Sequence, residues 1–202
     1  MNTRGWSTWL TGLLLALLLA GGAGATDKIK TVKGSEDNPI SPQDESFSFS
    51  SEEGDFRVRW PSGCSQVKTR SRQVDDDAQE QPVIVYCDRN GEKGEGCSVT
   101  ALFNISGGGS PEMVMDRMMK VLGGFGASIT NQKPLRKEFE GGFVVEGLDV
   151  LASPSSGAGQ VWVRGLLVGG DIYLLSAWDQ AGEVAHDPEY IAFFESFQPG
   201  AE

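Results

Sequence analysis

The sequence has few of the residues on which most hydrolases and metalloproteins depend. Its 202 residues include one histidine, His186, and three cysteines, and its 17 basic residues are outnumbered by 28 acidic ones. These counts exclude a multi-histidine metal site, a zinc-finger array and a disulfide-dense miniprotein. A serine hydrolase would have to use His186 as its base, and no Gly-x-Ser-x-Gly motif accompanies it. We therefore rank an enzyme last among the function classes and expect no cofactor.

The charge of the chain excludes another class of function. The formal net charge is −11 at pH 7, and a protein this acidic is repelled by phosphate backbones. Hydrophobic residues make up 39% of the chain, which is enough for a packed core. We expect a folded domain that does not bind nucleic acid.

The first 25 residues have the pattern of a signal peptide. Arg4 is followed by an apolar stretch from Leu10 to Ala20, and Ala23-Gly-Ala25 has the small residues that precede a cleavage site. The stretch is shorter than the roughly 20 residues of a membrane span, although an uncleaved anchor is the alternative. With no second apolar span, we expect cleavage after Ala25 and export to a periplasm or to the outside of the cell.

The rest of the chain divides near residue 55. Residues 26–55 are acidic, rich in serine and without apolar periodicity, which predicts a flexible tail or linker. Phe47 and Phe49 alternate with serines, so a short edge strand is the alternative there. Residues 56–202 are expected to form a single domain.

The pattern within that domain predicts strands, a helix, more strands and a second helix. Ser110 and Pro111 have the types expected at a helix start, as do Asp187 and Pro188. The predicted elements are strands at 56–60, 66–73, 82–87, 97–105, 127–139, 142–151, 160–168 and 171–178, and helices at 111–124 and 188–197. Short turns require antiparallel neighbours, and strands that are apolar on both faces need cover on both sides. We predict an α+β fold in which helices flank a central antiparallel sheet.

Several segments of this pattern resemble the PsbP-like superfamily. The opening strand Phe56-Arg-Val-Arg-Trp-Pro61, the helix at Ser110-Pro111, the late hairpin from Arg164 to Leu175 and the ending from Phe193 to Phe197 are similar to that family. The resemblance implies an α/β/α sandwich around an antiparallel sheet. It also implies a non-catalytic assembly or stabilising factor, with no catalytic residues to carry over.

Two cysteines bracket the predicted hairpin loop. If Cys87 lies opposite Cys97, then Val85 faces Val99, Val83 faces Ala101, and all six side chains share one face. An oxidising compartment favours a disulfide between this pair, which would leave Cys64 as a thiol. Pairing of Cys64 with either partner is the alternative, and a thiol at Cys64 would be available for an intermolecular bond or for redox sensing.

Basic residues alternate along the first two predicted strands. Arg57 and Arg59 share one side of the first, and Lys68, Arg70 and Arg72 share one side of the second. Paired as a hairpin, the strands would bring like charges face to face, which must be offset by an anionic partner, by the acidic tail, by the run Asp75-Asp-Asp77 or by a different register. These five residues form the candidate partner-binding surface, and a solvated face neutralised within the chain is the alternative.

The first helix carries most of the methionines. Thioethers bind Cu(I), so an accessible cluster of Met115, Met118 and Met119 would suit a periplasmic copper carrier. The same positions form the apolar stripe of an amphipathic helix, which favours core packing. The sequence thus predicts an exported, non-enzymatic module that binds or stabilises another envelope or secreted protein, with a small-ligand or copper carrier as the alternative.

Overall fold

The computed structural model describes residues 26–32, 46–64, 67–73, 81–89, 94–103, 105 and 108–200; the predicted signal peptide lies outside them. The helices are α1 (Pro111–Gly124) and α2 (Pro188–Ser196), and a 3₁₀ turn spans Val184–His186. The strands are β1 (Thr26–Val32), β2 (Phe47–Ser51), β3 (Phe56–Trp60), β4 (Val67–Gln73), β5 (Gln81–Asp88), β6 (Glu95–Phe103), β7 (Ala127–Glu138), β8 (Val144–Pro154), β9 (Gln160–Val168), β10 (Asp171–Asp179) and β11 (Gln198–Pro199).

The strands form two antiparallel sheets. The large sheet has the order β1-β4-β5-β6-β10-β9-β8-β7, and the small sheet has the order β11-β3-β2. Tight turns enforce this arrangement, as between β9 and β10, where Gly169 and Gly170 have φ values of +61° and +102°. The predicted antiparallel sheet is therefore confirmed.

One face of the large sheet packs against the small sheet and α2. Along β10, Tyr173, Leu175 and Ala177 point to this side, and all three are buried. The aromatic rings interlock across the layers, with the centroids of Trp60 and Phe193 5.3 Å apart. The small sheet and the α2 segment supply Phe56, Val58, Trp60, Tyr190, Phe193, Phe194 and Phe197.

The opposite face packs against α1. Ile172, Leu174 and Trp178 alternate with the residues of the first face and join Met118 in a second cluster. The helix packs tightly against Gly165, where an added Cβ would lie 2.7 Å from the sulfur of Met118. The predicted α/β/α sandwich therefore describes the fold only in part, because three short strands as well as a helix cover the first face.

Local signals in the sequence match the structure closely. The register of β5 and β6 pairs Cys87 with Cys97, Val85 with Val99 and Val83 with Ala101, as predicted. Both helix caps form: Ser110 Oγ accepts from the N–H of Met113, and Asp187 accepts from the N–H of Glu189. None of the helices in the described residues has the length and apolar character needed to cross a membrane.

Two stretches of the segment 26–55 form strands rather than the predicted flexible linker, and residues 33–45 lie outside the described residues. Thr26–Val32 forms β1 on the edge of the large sheet beside β4, and Phe47–Ser51 forms β2 beside β3. The alternation of residue types explains why β2 is a strand: Phe47 and Phe49 pack against the core, while Ser48 and Ser50 face solvent. The alternative prediction, a short edge strand at Phe47 and Phe49, is therefore confirmed.

Candidate functional site

The predicted basic surface does not form as a single face. Strand β3, with Arg57 and Arg59, belongs to the small sheet, whereas β4, with Lys68 and Arg70, belongs to the large sheet. The turn after Trp60 directs the chain from one sheet to the other rather than back along β3. The strands β3 and β4 therefore do not pair as a hairpin, and the opposed ladders of like charge are not built.

Arg57 and Arg59 do share an exposed face. The side chains of β3 alternate, with Phe56, Val58 and Trp60 buried and the two arginines exposed. We call the solvent side of the small sheet, formed by Ser48, Ser50, Arg57 and Arg59, the outer face. The register places Ser48 opposite Arg59 and Ser50 opposite Arg57, so that small hydroxyls leave both guanidinium groups accessible.

The end of α2 holds this strand in place. The N–H of Arg59 donates to Ser196 Oγ at 2.8 Å, and its Nε donates to Ser46 Oγ at 2.7 Å. Because α2 is also packed into the core through Phe193, the outer face rests on a rigid support. The structure thus positions the two arginines on a regular element rather than on a loop.

An aromatic turn lies beside the outer face. The turn between β7 and β8 brings Glu140 within 3.7 Å of Arg57. In the same turn Phe143 stacks on Phe139 at 5.2 Å and is 41% exposed, and Val144 is 45% exposed. We call Glu140, Phe143 and Val144 the hairpin tip. Arginines next to exposed aromatic residues are typical of protein interfaces.

The other predicted basic residues have different surroundings. Lys68 is half-buried, pairs with Asp88 at 3.3 Å and lies over the ring of Tyr86. Arg70 is 7% exposed and so presents little surface to a partner. The backbone of Arg72 pairs with Asp27 of β1, and its side chain lies outside the described residues.

A buried ion pair links the large sheet to α2. Arg164 of β9 and Asp149 of β8 lie directly opposite each other and form two bonds, of 2.8 and 3.1 Å. Arg164 also donates to the carbonyl of Phe194 at 3.1 Å and to Glu195 at 3.0 Å. Cations at a helix C-terminus are favourable because the last carbonyls lack partners within the helix. This network therefore fixes the end of α2 that supports the outer face.

The electrostatics of this network keep its central arginine charged. Burial by itself lowers the pKa of Arg164, but its bonds with Asp149 and interaction with Glu195 outweigh burial and raise that pKa. Burial lowers the pKa of Lys137, which donates to the carbonyls of Phe194 and Glu195. A surface cavity of about 130 Å³ lies next to the pair, bordered by Lys133 and Trp162 among others.

The three cysteines meet in the core between the sheets. Cys64 is 2% exposed, Cys87 and Cys97 are fully buried, and all three are thiols. Cys64 forms side-chain hydrogen bonds with both strand cysteines, and Arg89 beside them donates to the carbonyl of Ser62. The predicted Cys87–Cys97 disulfide is not formed here, although its strand register is. No group of three or more His, Cys, Asp or Glu side chains in the described residues is arranged to hold a metal ion.

The methionines and the single histidine do not form a common site. Met118 is fully buried against Gly165, Met115 is half-buried and Met119 is 46% exposed. Only part of this trio is therefore open to an ion from solvent. His186 is exposed at the end of the 3₁₀ turn and contacts Glu183.

Comparisons with known proteins give a likeness of fold alone. No protein-family model matches the chain, and no curated protein matches its sequence. Among solved structures, the fold is similar to the solution structure of cyanobacterial PsbP (CyanoP) from Synechocystis sp. PCC 6803, with a TM-score of 0.48 and 14% identity over 89% of this chain and 98% of that one.

Two features of the site were not recognised in the sequence. The Arg164–Asp149 pair could have been found, because each charge interrupts an apolar run in a strand. The hairpin tip had no such signal: Phe143 follows two glycines, and nothing local shows that its turn returns to the small sheet.

Proposed function

We propose that this protein is an exported, non-enzymatic module that binds and stabilises another envelope or secreted protein. The observation that carries the proposal is the outer face, where Arg57 and Arg59 stand exposed side by side on a chain of net charge −11. Two cations on an otherwise acidic protein steer and orient a partner with a complementary acidic patch. The inference that the protein is exported rests on the signal-like segment at residues 1–25.

The hairpin tip supplies the apolar part of the proposed interface. Charged contacts set orientation and association rate, while a buried aromatic anchor commonly supplies much of the binding energy. Phe143 is already stacked on Phe139, so that its ring loses little freedom when a partner covers it. The proposed partner therefore presents acidic residues beside an apolar pocket.

Charge reversal on the outer face tests this proposal. The tagged protein is used to capture partners from the exported fraction of its source cells, with the variant R57E/R59E in parallel. The control K120E/R136E makes the same change in net charge at two exposed residues, on α1 and β7, that belong neither to the outer face nor to the hairpin tip. We expect the wild type and the control to retain a common partner that R57E/R59E loses by at least about tenfold, or about 1.4 kcal/mol.

A second measurement examines the bound partner directly. Its affinity is expected to fall with rising salt for the wild type. For R57E/R59E this fall is expected to be lost or reversed, because salt screens the repulsion between the new glutamates and the acidic patch of the partner. Equal capture by both double variants would show that the partner contacts another surface.

A further inference from the structure

Three separate segments bring the cysteines together. Cys64 ends the turn that follows the small sheet, Cys87 is near the end of β5, and Cys97 is near the start of β6. Cys87 and Cys97 are direct cross-strand partners, and Cys64 is hydrogen-bonded to both. We call these three residues the thiol triad. Its members are within reach of one another and are shielded from solvent.

The backbone geometry is compatible with more than one disulfide. Directly opposed residues of antiparallel strands have Cα atoms about 4.5–5.5 Å apart, within the range that a disulfide accepts. The thiol of Cys64 lies against both partners, so that it competes for either sulfur. We propose that the thiol triad is a single redox site that holds one disulfide and one thiol and exchanges the disulfide among its three cysteines.

The chemistry needs one external oxidant, a disulfide such as oxidised glutathione. One triad thiolate attacks that disulfide, forming a mixed disulfide and releasing one glutathione thiolate. A second triad thiolate then displaces the other glutathione, so that two cysteine thiols have lost two electrons and two protons in total. The third thiolate attacks the new bond, forms a different pair and releases the displaced sulfur as a thiolate, without further oxidation.

The choice of pair changes how the two sheets are joined. A bond between Cys87 and Cys97 stays within one hairpin, whereas a bond from Cys64 ties the turn after β3 covalently to the large sheet. That turn is already held by Arg89 through Ser62 and by Glu189 of α2, so Cys64 is kept close to its partners. Because burial raises the pKa of the Cys97 thiol, thiolate is scarce and exchange in the folded protein is slow at neutral pH.

Peptide mapping of the refolded protein tests the triad. The reduced, denatured protein is refolded in a glutathione buffer, quenched with acid, alkylated and digested without reduction. We expect one intramolecular disulfide and one alkylated cysteine per chain, and more than one pairing in the wild type. The variants C64S, C87S and C97S are each expected to form a disulfide between the two cysteines that remain.

Three results would overturn the proposal. The wild type could refold with three alkylated cysteines, or with a single pairing that does not change as exchange is prolonged at alkaline pH. A serine variant could have the circular dichroism of the wild type yet keep both remaining cysteines reduced. The wild-type mapping decides the question even if a variant fails to fold.

Discussion

Arg164 and Asp149 are 2% and 3% exposed, although each is charged and lies in the middle of an apolar strand. A buried pair of this kind adds little net stability, because the loss of hydration offsets much of the attraction. Its effect is on specificity: each group needs the other, so the register of β8 and β9 and the end of α2 are fixed together. The pair thereby fixes the end of α2 that supports the outer face.

The variant Arg164→Met tests this dependence. It leaves Asp149 buried without its bidentate partner, so we expect the free energy of unfolding to fall by about 3–5 kcal/mol. The matched control is Lys120→Met, which breaks the exposed pair with Asp116 and is expected to cost no more than about 0.5 kcal/mol. Urea unfolding measures both variants, and equal losses would refute the role assigned to the buried pair.

Buried thiols and phenols predict a loss of stability at alkaline pH. The hydrogen bond with Cys87 lowers the pKa of Cys64, but the bond with Cys97 and burial outweigh it and raise that pKa above its ordinary value of 9.0. Burial also raises the pKa of Cys97, and it raises the pKa of Tyr173 and Tyr190 above 10.0. Each group keeps its proton to a higher pH in the folded chain than in the unfolded chain. Its contribution to the free energy of unfolding is therefore complete below the pKa that it has in the unfolded chain, and is lost as pH rises above that pKa.

We therefore expect the free energy of unfolding of the reduced protein to fall as pH rises above about 9, with a steeper fall above about 10. The measurement is a series of urea titrations from about pH 7 to pH 11 in the presence of a phosphine reductant. In the variant C64S/C87S/C97S the first part of the fall is expected to disappear while the second part remains. A stability that is flat across this range would contradict the stated pKa directions.

At the scale of elements, α1 and the large sheet meet through a glycine. A Cβ on Gly165 would lie 2.4 Å from Val114 and 2.7 Å from the sulfur of Met118, so only glycine permits this approach. The helix therefore depends on one position of β9 for its distance from the sheet.

Gly165→Ala is expected to destabilise the protein by about 1–3 kcal/mol, because the helix must move outward or its side chains must leave their rotamers. The control Gly123→Ala lies near the end of the same helix, where no atom outside the neighbouring helix backbone is within 4 Å of the added Cβ. That control is expected to be neutral or to stabilise by up to about 1 kcal/mol. Thermal unfolding of the two variants measures the difference. A larger loss of stability in Gly123→Ala than in Gly165→Ala would contradict the role assigned to Gly165.

The elements also show what sequence patterns can predict. Two kinds of local feature were predicted correctly. The helix caps at Ser110 and Asp187 depend on neighbours along the chain, and the register of Cys87 with Cys97 depends on neighbours across one hairpin. The partners of β3 were not predicted correctly: β2 directly precedes it but was assigned to a linker, and β11 comes from the other end of the domain. Sequence alternation gives the face of a strand but not the identity of a distant partner.

The same limit applies to the candidate site. Arg57 and Arg59 were correctly placed together on one side of β3, since that needs only alternation. Lys68 and Arg70 were assigned to the same surface because adjacent strands commonly form hairpins, and here the chain changes sheets instead. Burial of Arg70 and exposure of Phe143 are consequences of tertiary packing and have no local signature.

At the scale of the whole molecule, the two sheets share one core. Phe56 and Trp60 of the small sheet lie in the same cluster as Leu175 and Ala177 of the large sheet, and the centroids of Tyr173 and Phe197 are 5.3 Å apart. The small sheet therefore behaves as part of the domain and not as an appendage. A surface carried by such a sheet is held in one geometry before any partner arrives, which lowers the entropic cost of binding.

The most direct test of this account is site-specific photo-crosslinking in the native compartment. A photoreactive amino acid replaces Ser48, which is exposed on the outer face opposite Arg59, or Met119, which is exposed on α1 across the large sheet. The probe at position 48 is expected to form a crosslink to a discrete partner protein, and the probe at position 119 is expected to form none. A crosslink from position 119 with none from position 48 would contradict it, because the outer face would then be only a solvated surface.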